Sequence, residues 1–266
     1  MKPETIRLLQ DPATASPLSL EPALDPNANM SGWLVSQSTG RRYRLTDGVP
    51  SFLEPEEVTG LNLRYQKMYD RIALGYDLAE WIGGFFWGGG VKTRLEILRD
   101  VIPAAAGKVL EVSIGTGANL RYLPRSAEYY GLDISMGMLH KCQRNLARWS
   151  IETELFHGAA EALPFVEDAF DMVFHFGGIN FFTDPARAAL ELMRVAKPGG
   201  MVFFGDETED MIKLYQKSPF LSRYYKDNLG EAFDPVALVP AGAMDVKKKT
   251  LKDGKFYMVG FRKPLS

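Results

Sequence analysis

Apolar positions change rhythm along this chain. Between residues 108 and 205, short and nearly continuous apolar runs alternate with stretches whose apolar residues recur every three to four positions. The runs Lys108–Ser113, Tyr129–Ile134, Glu152–His157, Phe170–Phe176 and Met201–Gly205 predict strands buried on both faces, as parallel strands are. Met136–Arg148 predicts a helix. A second helix is expected to start at Thr183-Asp184-Pro185, with Asp184 as N-cap and Pro185 in the first turn, and to end at Lys197-Pro198-Gly199-Gly200. Strands separated by helices imply an α/β, doubly wound, Rossmann-like sheet. Val246–Leu251 and Phe256–Phe261 flank a Lys252-Asp253-Gly254-Lys255 turn and predict a closing antiparallel hairpin, which brings the sheet to seven strands.

The flanking regions read differently. Residues 1–54 are rich in Pro, Ser, Thr and Asn and predict a small β-rich domain of short strands and turns. Residues 55–65 read as an acidic, proline-bearing linker, and 66–266 as the larger domain. Leu61–Trp87 opens with helical spacing at Leu63, Tyr65, Met68, Tyr69, Ile72 and Tyr76. It runs into Trp81–Gly90, whose glycines and aromatics suit a helix poorly and could line an apolar pocket or touch a membrane surface.

Composition narrows the class. Of 266 residues, 46% are hydrophobic and 24% charged, as in ordinary soluble proteins. A net charge of −2 gives no overall pull toward nucleic acid or acidic membranes. No apolar run reaches the roughly 18–20 residues of a membrane span. The opening MKPETIRLLQ lacks a signal-peptide core, so the expectation is a cytoplasmic protein, monomer or homodimer, with peripheral membrane contact at most. Cys142, the single cysteine, excludes an intrachain disulfide and reads as core filler in a helix.

The candidate chemistry lies in VLEVSIGTGANL, Val109–Leu120. A strand ends in Glu111-x-x-x-Gly115-x-Gly117 and passes into a helix-like pattern, and the next strand ends in Asp133. Glycines there admit positive φ and close backbone approach, and Asp133 can accept bonds from vicinal ribose hydroxyls, so the pattern predicts a nucleoside site at the strand ends. A dinucleotide site wants a third glycine facing the pyrophosphate, but Leu120 stands there. Glu111 would repel a pyrophosphate and suits the ammonium of a methionine moiety. S-adenosylmethionine is therefore favoured over NAD.

Three further segments carry a resemblance: MYDRIALGYD at Met68–Asp77, GAAEALPFVEDAFD at Gly158–Asp171, and RVAKPGG at Arg194–Gly200. With the glycine turn, in this order, the chain resembles class I S-adenosylmethionine-dependent methyltransferases, and among them the ubiquinone/menaquinone C-methyltransferase-like branch. The resemblance implies Tyr69, Tyr76, Glu111, Ser113, Gly115, Gly117, Asp133, Ile134, Met138, Ala160, Glu161 and Phe176 around the cofactor. The family often has glycine where Ser113 stands. Ala159 replaces the acid that commonly meets the adenine amine, leaving backbone groups, Glu161, or packing from Met138 and Leu163 for that task.

Methyl transfer from an activated donor needs alignment and exclusion of water, with a base only if the acceptor must lose a proton. His175 and Asp206, at predicted strand ends, are the candidate bases. Trp87, Asn180, Phe181, Glu207 and Tyr224 are candidate substrate contacts. Tyr224 belongs to the aromatic-rich stretch Met211–Gly242, placed where insertions commonly cover a substrate. The expected acceptor is small and partly apolar: a quinone, phenol, lipid or natural product. An RNA base methyltransferase (rRNA or tRNA) and a non-catalytic cofactor-binding partner subunit remain alternatives, and a nicotinamide oxidoreductase is disfavoured by Leu120 and Glu111.

Gly40–Leu53, GRRYRLTDGVPSFL, looks like the end of the zinc-ribbon domain found in methyltransferase activator subunits. In that resemblance the four metal ligands fall on Asp11, Thr14, Ser36 and Thr39, a set unable to hold zinc. The expectation is a cysteine-less, metal-free relic, held by its apolar residues and by docking on the larger domain.

Overall fold

The computed structural model describes residues 1–22, 31–53, 58–72, 90–217 and 234–265. A short helix α1, Pro3–Ile6, precedes four strands: β1 (Leu18–Pro22), β2 (Gly32–Ser36), β3 (Arg42–Thr46) and β4 (Val49–Pro50). They form an antiparallel sheet in sequence order. Strand β2 buries alternate residues, as its period-two pattern requires, with Leu34 fully covered.

Helix α2, Gly60–Ile72, begins inside the stretch 55–65 read as a linker. Short helices α3 (Val91–Ile97) and α4 (Val101–Ala104) lead into the larger sheet. That sheet holds β5 (Lys108–Val112), β6 (Glu128–Asp133), β7 (Thr153–His157), β8 (Phe170–Phe176), β9 (Ala196–Glu207), β10 (Met244–Leu251) and β11 (Phe256–Arg262). Its order is β10-β11-β9-β8-β5-β6-β7; β7, β6, β5, β8 and β9 run parallel, and β11 is antiparallel to both neighbours. The expected doubly wound seven-stranded sheet with its terminal hairpin is the observed one.

Helix α5, Met136–Trp149, has Ser135 as N-cap, its hydroxyl accepting from the Met138 N–H at 3.1 Å. Helix α6, Pro185–Val195, starts as the sequence predicts, with the Asp184 carboxylate accepting from the Arg187 N–H. Its end differs from expectation. The helix stops at Val195, and Lys197-Pro198-Gly199-Gly200 belongs to β9, where Lys197 pairs with Asp171 at 2.7 Å. The helix expected straight after the glycine turn is only a 3-10 turn, Ala118–Tyr122. Helix α7, Glu209–Lys217, follows β9.

The core lies on both faces of the large sheet. Val109, Tyr129, Leu155 and Met172 point toward Ile97, Leu139 and Leu146 on one side. Leu110, Tyr130, Phe156 and Phe170 point to the other, against Ala188 and Leu192 of α6. Leu9, Leu18, Leu34, Tyr43 and Phe52 of the N-terminal sheet join this second face, so the small sheet closes the large one rather than standing apart. Backbone bonds hold it there: Gln10 N–H to Pro164 O, Val166 N–H to Leu8 O, and Phe52 N–H to His157 O, the last at edge strand β7. Covering an edge strand in this way also satisfies groups that would otherwise invite foreign pairing.

Asp11, at the first of the four positions, gathers polar groups of the N-terminal segment onto its carboxylate. Asp11 is fully buried; Tyr43 donates its hydroxyl to Oδ1 at 2.9 Å, the Ala13 N–H donates to the same oxygen, and the Thr39 hydroxyl reaches Oδ2 at 3.4 Å. Burial pushes this carboxyl up. The neighbouring Ser36, Ala13 N–H, Tyr43 and Thr14 groups outweigh burial and hold it below the usual carboxylate range.

Candidate functional site

Parallel strands all end on one side of their sheet, and the residues singled out from sequence gather there. Ser113–Gly117 follows β5, Asp133 ends β6, Ala160 and Glu161 follow β7, His175 and Phe176 end β8, and Asp206 and Glu207 end β9. Tyr76, Trp87 and Tyr224 lie outside the described residues, and Phe181 lies in the 3-10 turn Ile179–Phe181.

The glycine turn is built by backbone conformation. Gly115 (φ +56°) and Gly117 (φ +77°) occupy the left-handed region, and so does Ser113 (φ +58°), where glycine would relieve a strain that a side chain incurs. At Gly117 a Cβ would come within 2.8 Å of the Cys142 Sγ, so the helix α5 packs directly on the turn. Beside Gly115 a Cβ would meet nothing nearer than 4.0 Å, leaving open space along the turn. Asp133 braces the loop from the next strand: its Oδ2 accepts from Gly115 N–H at 2.8 Å and its Oδ1 from Ser135 N–H at 2.9 Å. Burial raises its carboxyl to about 6, against the pull of those amides.

Glu111 is almost wholly buried in the middle of β5. Its Oε1 accepts from Asn119 Nδ2 at 2.6 Å, and Arg94 of α3 donates to the Asn119 side-chain oxygen. Its Oε2 is buried and has no hydrogen-bond partner among the described residues. Desolvation therefore dominates and lifts the carboxyl to about 8, although Asn119 and Arg94 pull it down. A buried carboxyl oxygen without a partner is rare and calls for an explanation.

Helix α2 lies over the loop after β6. Gln66 donates to Ile134 O at 2.9 Å, and Asp70 accepts from the Ser135 hydroxyl at 2.6 Å and from Gly137 N–H at 3.0 Å. Its first turn is tied to the loop after β7: Asn62 donates to Glu161 Oε1 at 2.9 Å, and the same oxygen accepts from the Thr183 and Asp184 N–H groups. Glu161 thus spends Oε1 on holding α2 to the start of α6. Tyr69 sits on this helix, partly buried, and Met138 is buried on α5.

At the ends of β8 and β9 the polar groups are closely engaged with one another. The Asp206 carboxylate accepts from Gly178 N–H at 3.0 Å and from Asn180 N–H at 2.9 Å. Asn180 donates to Glu207 O at 2.8 Å and accepts from the Tyr257 hydroxyl at 2.9 Å. His175 is fully buried; Nδ1 donates to Val112 O at 3.1 Å, which leaves Nε2 as a bare acceptor with no partner among the described residues. Burial lowers its pKa despite Asp206 nearby, so the ring is neutral. Arg94, Gln66, Asp70 and Tyr257 escape the sequence reading because each acts across a long separation in the chain, and Asn119, within the motif itself, because only the fold turns its side chain back onto Glu111.

Comparison with known proteins identifies the family and the fold. The family described as "Methyltransferase domain" matches residues 110–204. A demethylmenaquinone methyltransferase of Corynebacterium kroppenstedtii is 30% identical over 178 residues, covering 65% of this chain and 70% of that protein. The same-named protein of Clavibacter sepedonicus is 33% identical over 136 residues, 51% of this chain and 54% of its own length. The chain spans about half the length of several such curated relatives. Among solved structures, an S-adenosylmethionine-dependent methyltransferase from Thermotoga maritima, described as a possible histamine N-methyltransferase, superposes with a TM-score of 0.57. That match covers 74% of this chain and 99% of the other at 20% identity, and so speaks for the fold alone.

Proposed function

This chain belongs to the class I methyltransferase family, and on that premise we propose that it transfers a methyl group from S-adenosylmethionine to a small, partly apolar acceptor of the quinone or phenol class. The observation that carries the reading is the orphan Oε2 of Glu111, buried beneath a glycine turn that Asp133 braces from the neighbouring strand. The residues fit the cofactor. Glu111 offers a buried carboxylate to the methionine ammonium, Asp133 a carboxylate to the ribose hydroxyls, and Ser113–Gly117 close backbone approach. Ile134, Met138, Ala160 and Glu161 flank the adenine side, with Tyr69 on α2 and Phe176 at the end of β8 completing the enclosure.

S-adenosylmethionine, when bound, supplies an activated methyl group on a sulfonium, so the chain's own work is alignment, desolvation and proton handling. Helix α2, fastened through Gln66, Asp70 and Asn62, excludes water from the loop after β6. The bare Nε2 of His175 is the group we assign to receive a proton from the acceptor, with Asp206 stabilising the resulting imidazolium. Asn180 and Glu207 frame the acceptor side. The names of the relatives favour a quinone acceptor, and the net charge of −2 disfavours RNA. The N-terminal sheet is, on this reading, a metal-free relative of a zinc ribbon in which Asp11 stands at a ligand position and is bonded by Tyr43 and Thr39.

Calorimetric titration with S-adenosylhomocysteine tests the cofactor assignment. Micromolar binding is expected, lost in Asp133→Ala, with NADH giving no signal. Absence of binding by a folded protein would overturn the reading.

A further inference from the structure

The N-terminal sheet reaches the nucleoside loop through one side chain. His157 ends β7 and is 7% exposed, with both ring nitrogens engaged. Its Nε2 lies 3.0 Å from Ile134 O and its Nδ1 2.8 Å from the Ser51 hydroxyl. A carbonyl only accepts, so Nε2 carries the proton, Nδ1 is the acceptor, and the Ser51 hydroxyl donates to it in preference to Leu53 O, which lies farther off at 3.3 Å. The backbone doubles the connection: Ser51 pairs in parallel with His157, and Phe52 N–H donates to His157 O at 2.8 Å.

The far end of the ring meets the backbone that carries Asp133. Ile134 O accepts from His157 on one side and from Gln66 of α2 on the other. Asp133 O is held by Gly158 N–H at 3.0 Å, one residue beyond the histidine. The peptide following Asp133 is therefore clamped from the N-terminal sheet, from β7 and from α2. A carboxylate that must meet two hydroxyls with good geometry depends on such supports, since a misplaced backbone costs the bond even when the side chain is present.

We propose that His157 is a positioning residue, through which Ser51 of the N-terminal sheet fixes the Ile134 carbonyl and with it the Asp133 carboxylate. The sheet thereby serves cofactor affinity. This rests on the reading of Asp133 as the ribose-binding group.

The test uses the full chain and S-adenosylhomocysteine as probe. His157→Phe keeps the ring's bulk and removes both bonds; His157→Gln keeps a donor for Ile134 O; Ser51→Ala removes only the outer hydroxyl. Calorimetry should show affinity weakened roughly three- to tenfold in His157→Phe and Ser51→Ala, with His157→Gln restored toward wild type. In wild type, ring nitrogen NMR shifts should report the Nε2–H tautomer and move on ligand addition. If Ser51→Ala and His157→Phe are folded and bind as wild type does, the proposal fails while the cofactor reading stands. If His157→Phe is unfolded, Ser51→Ala alone decides. Failure of wild type to bind overturns the cofactor reading and the proposal with it.

Discussion

Glu111 is where burial and charge oppose each other most sharply. Its carboxyl titrates at about 8 because the interior disfavours the anion more than Asn119 and Arg94 favour it. A carboxyl raised in the fold binds its proton more tightly when folded. Its ionisation thus subtracts stability as pH climbs from the ordinary carboxylate value of about 4.3 toward 8, and subtracts no more above that. A ligand ammonium at Oε2 reverses the balance and expels the proton. At pH 7 most of a proton should leave on binding, since a group titrating at about 8 is largely protonated there. The calorimetric enthalpy of S-adenosylhomocysteine binding should therefore differ between phosphate and Tris by most of the difference between the two buffers' ionisation enthalpies, and Glu111→Gln should remove that difference. Equal enthalpies in the two buffers for wild type would mean that Glu111 does not receive the ammonium.

Among the elements, the N-terminal strands show how one buried carboxylate organises a small sheet. Asp11 draws Tyr43, Thr39 and the Ala13 N–H onto one buried carboxylate and so joins the loop before β1 to the turn between β2 and β3. Asp11→Ala should cost about 2–3 kcal/mol, as loss of bonds to a charged group does. Its folded pKa lies below the ordinary value, so the stabilisation is present above about pH 4 and disappears as acid titrates the folded carboxyl. Chemical denaturation should accordingly show a constant deficit for Asp11→Ala between pH 5 and 8 that narrows below pH 4. A deficit independent of pH would assign the loss to packing. The same strands mark the limits of sequence reading. The strand runs, the Asp184 cap and the glycine turn are visible in the letters, because local sterics write them. The bonds of Asp11 to Tyr43, of Arg94 to Asn119, and of Gln66 and His157 to Ile134 are tertiary. Each joins residues of unremarkable type, and no periodicity announces them. The lysine-proline-glycine-glycine segment misled the helix boundary because Lys197 finds Asp171 and the chain extends into β9 instead.

Across the whole molecule, the decisive fact is that the two sheets share one core. Leu9, Leu34, Tyr43 and Phe52 pack in the same apolar cluster as Leu132, Phe156, Phe165 and Phe170 of the larger sheet. Phe165 stands edge-on to both Phe156 and Phe170, with ring centroids 4.9 Å away in each case, and pairs through its backbone with Leu9. A sheet as small as the N-terminal one buries too little to stand alone without a staple. Its apolar face is covered by the larger sheet, and the larger sheet's aromatic face is covered by it. Neither can leave without exposing the other, so unfolding should be a single cooperative transition, with calorimetric and van't Hoff enthalpies equal. Leu9→Ala removes a side chain that is 2% exposed at the joint and should cost about 2–5 kcal/mol. Its informative consequence is the shape of the melt. A shared core lowers the one midpoint by several degrees and keeps the transition single, whereas two independent units would split it, the N-terminal sheet melting first and the cofactor-binding sheet at its original temperature. Differential scanning calorimetry of wild type and Leu9→Ala, with and without S-adenosylhomocysteine, separates the two outcomes. In the shared core the ligand raises the whole transition of the variant, including the melting of a sheet that the ligand never touches.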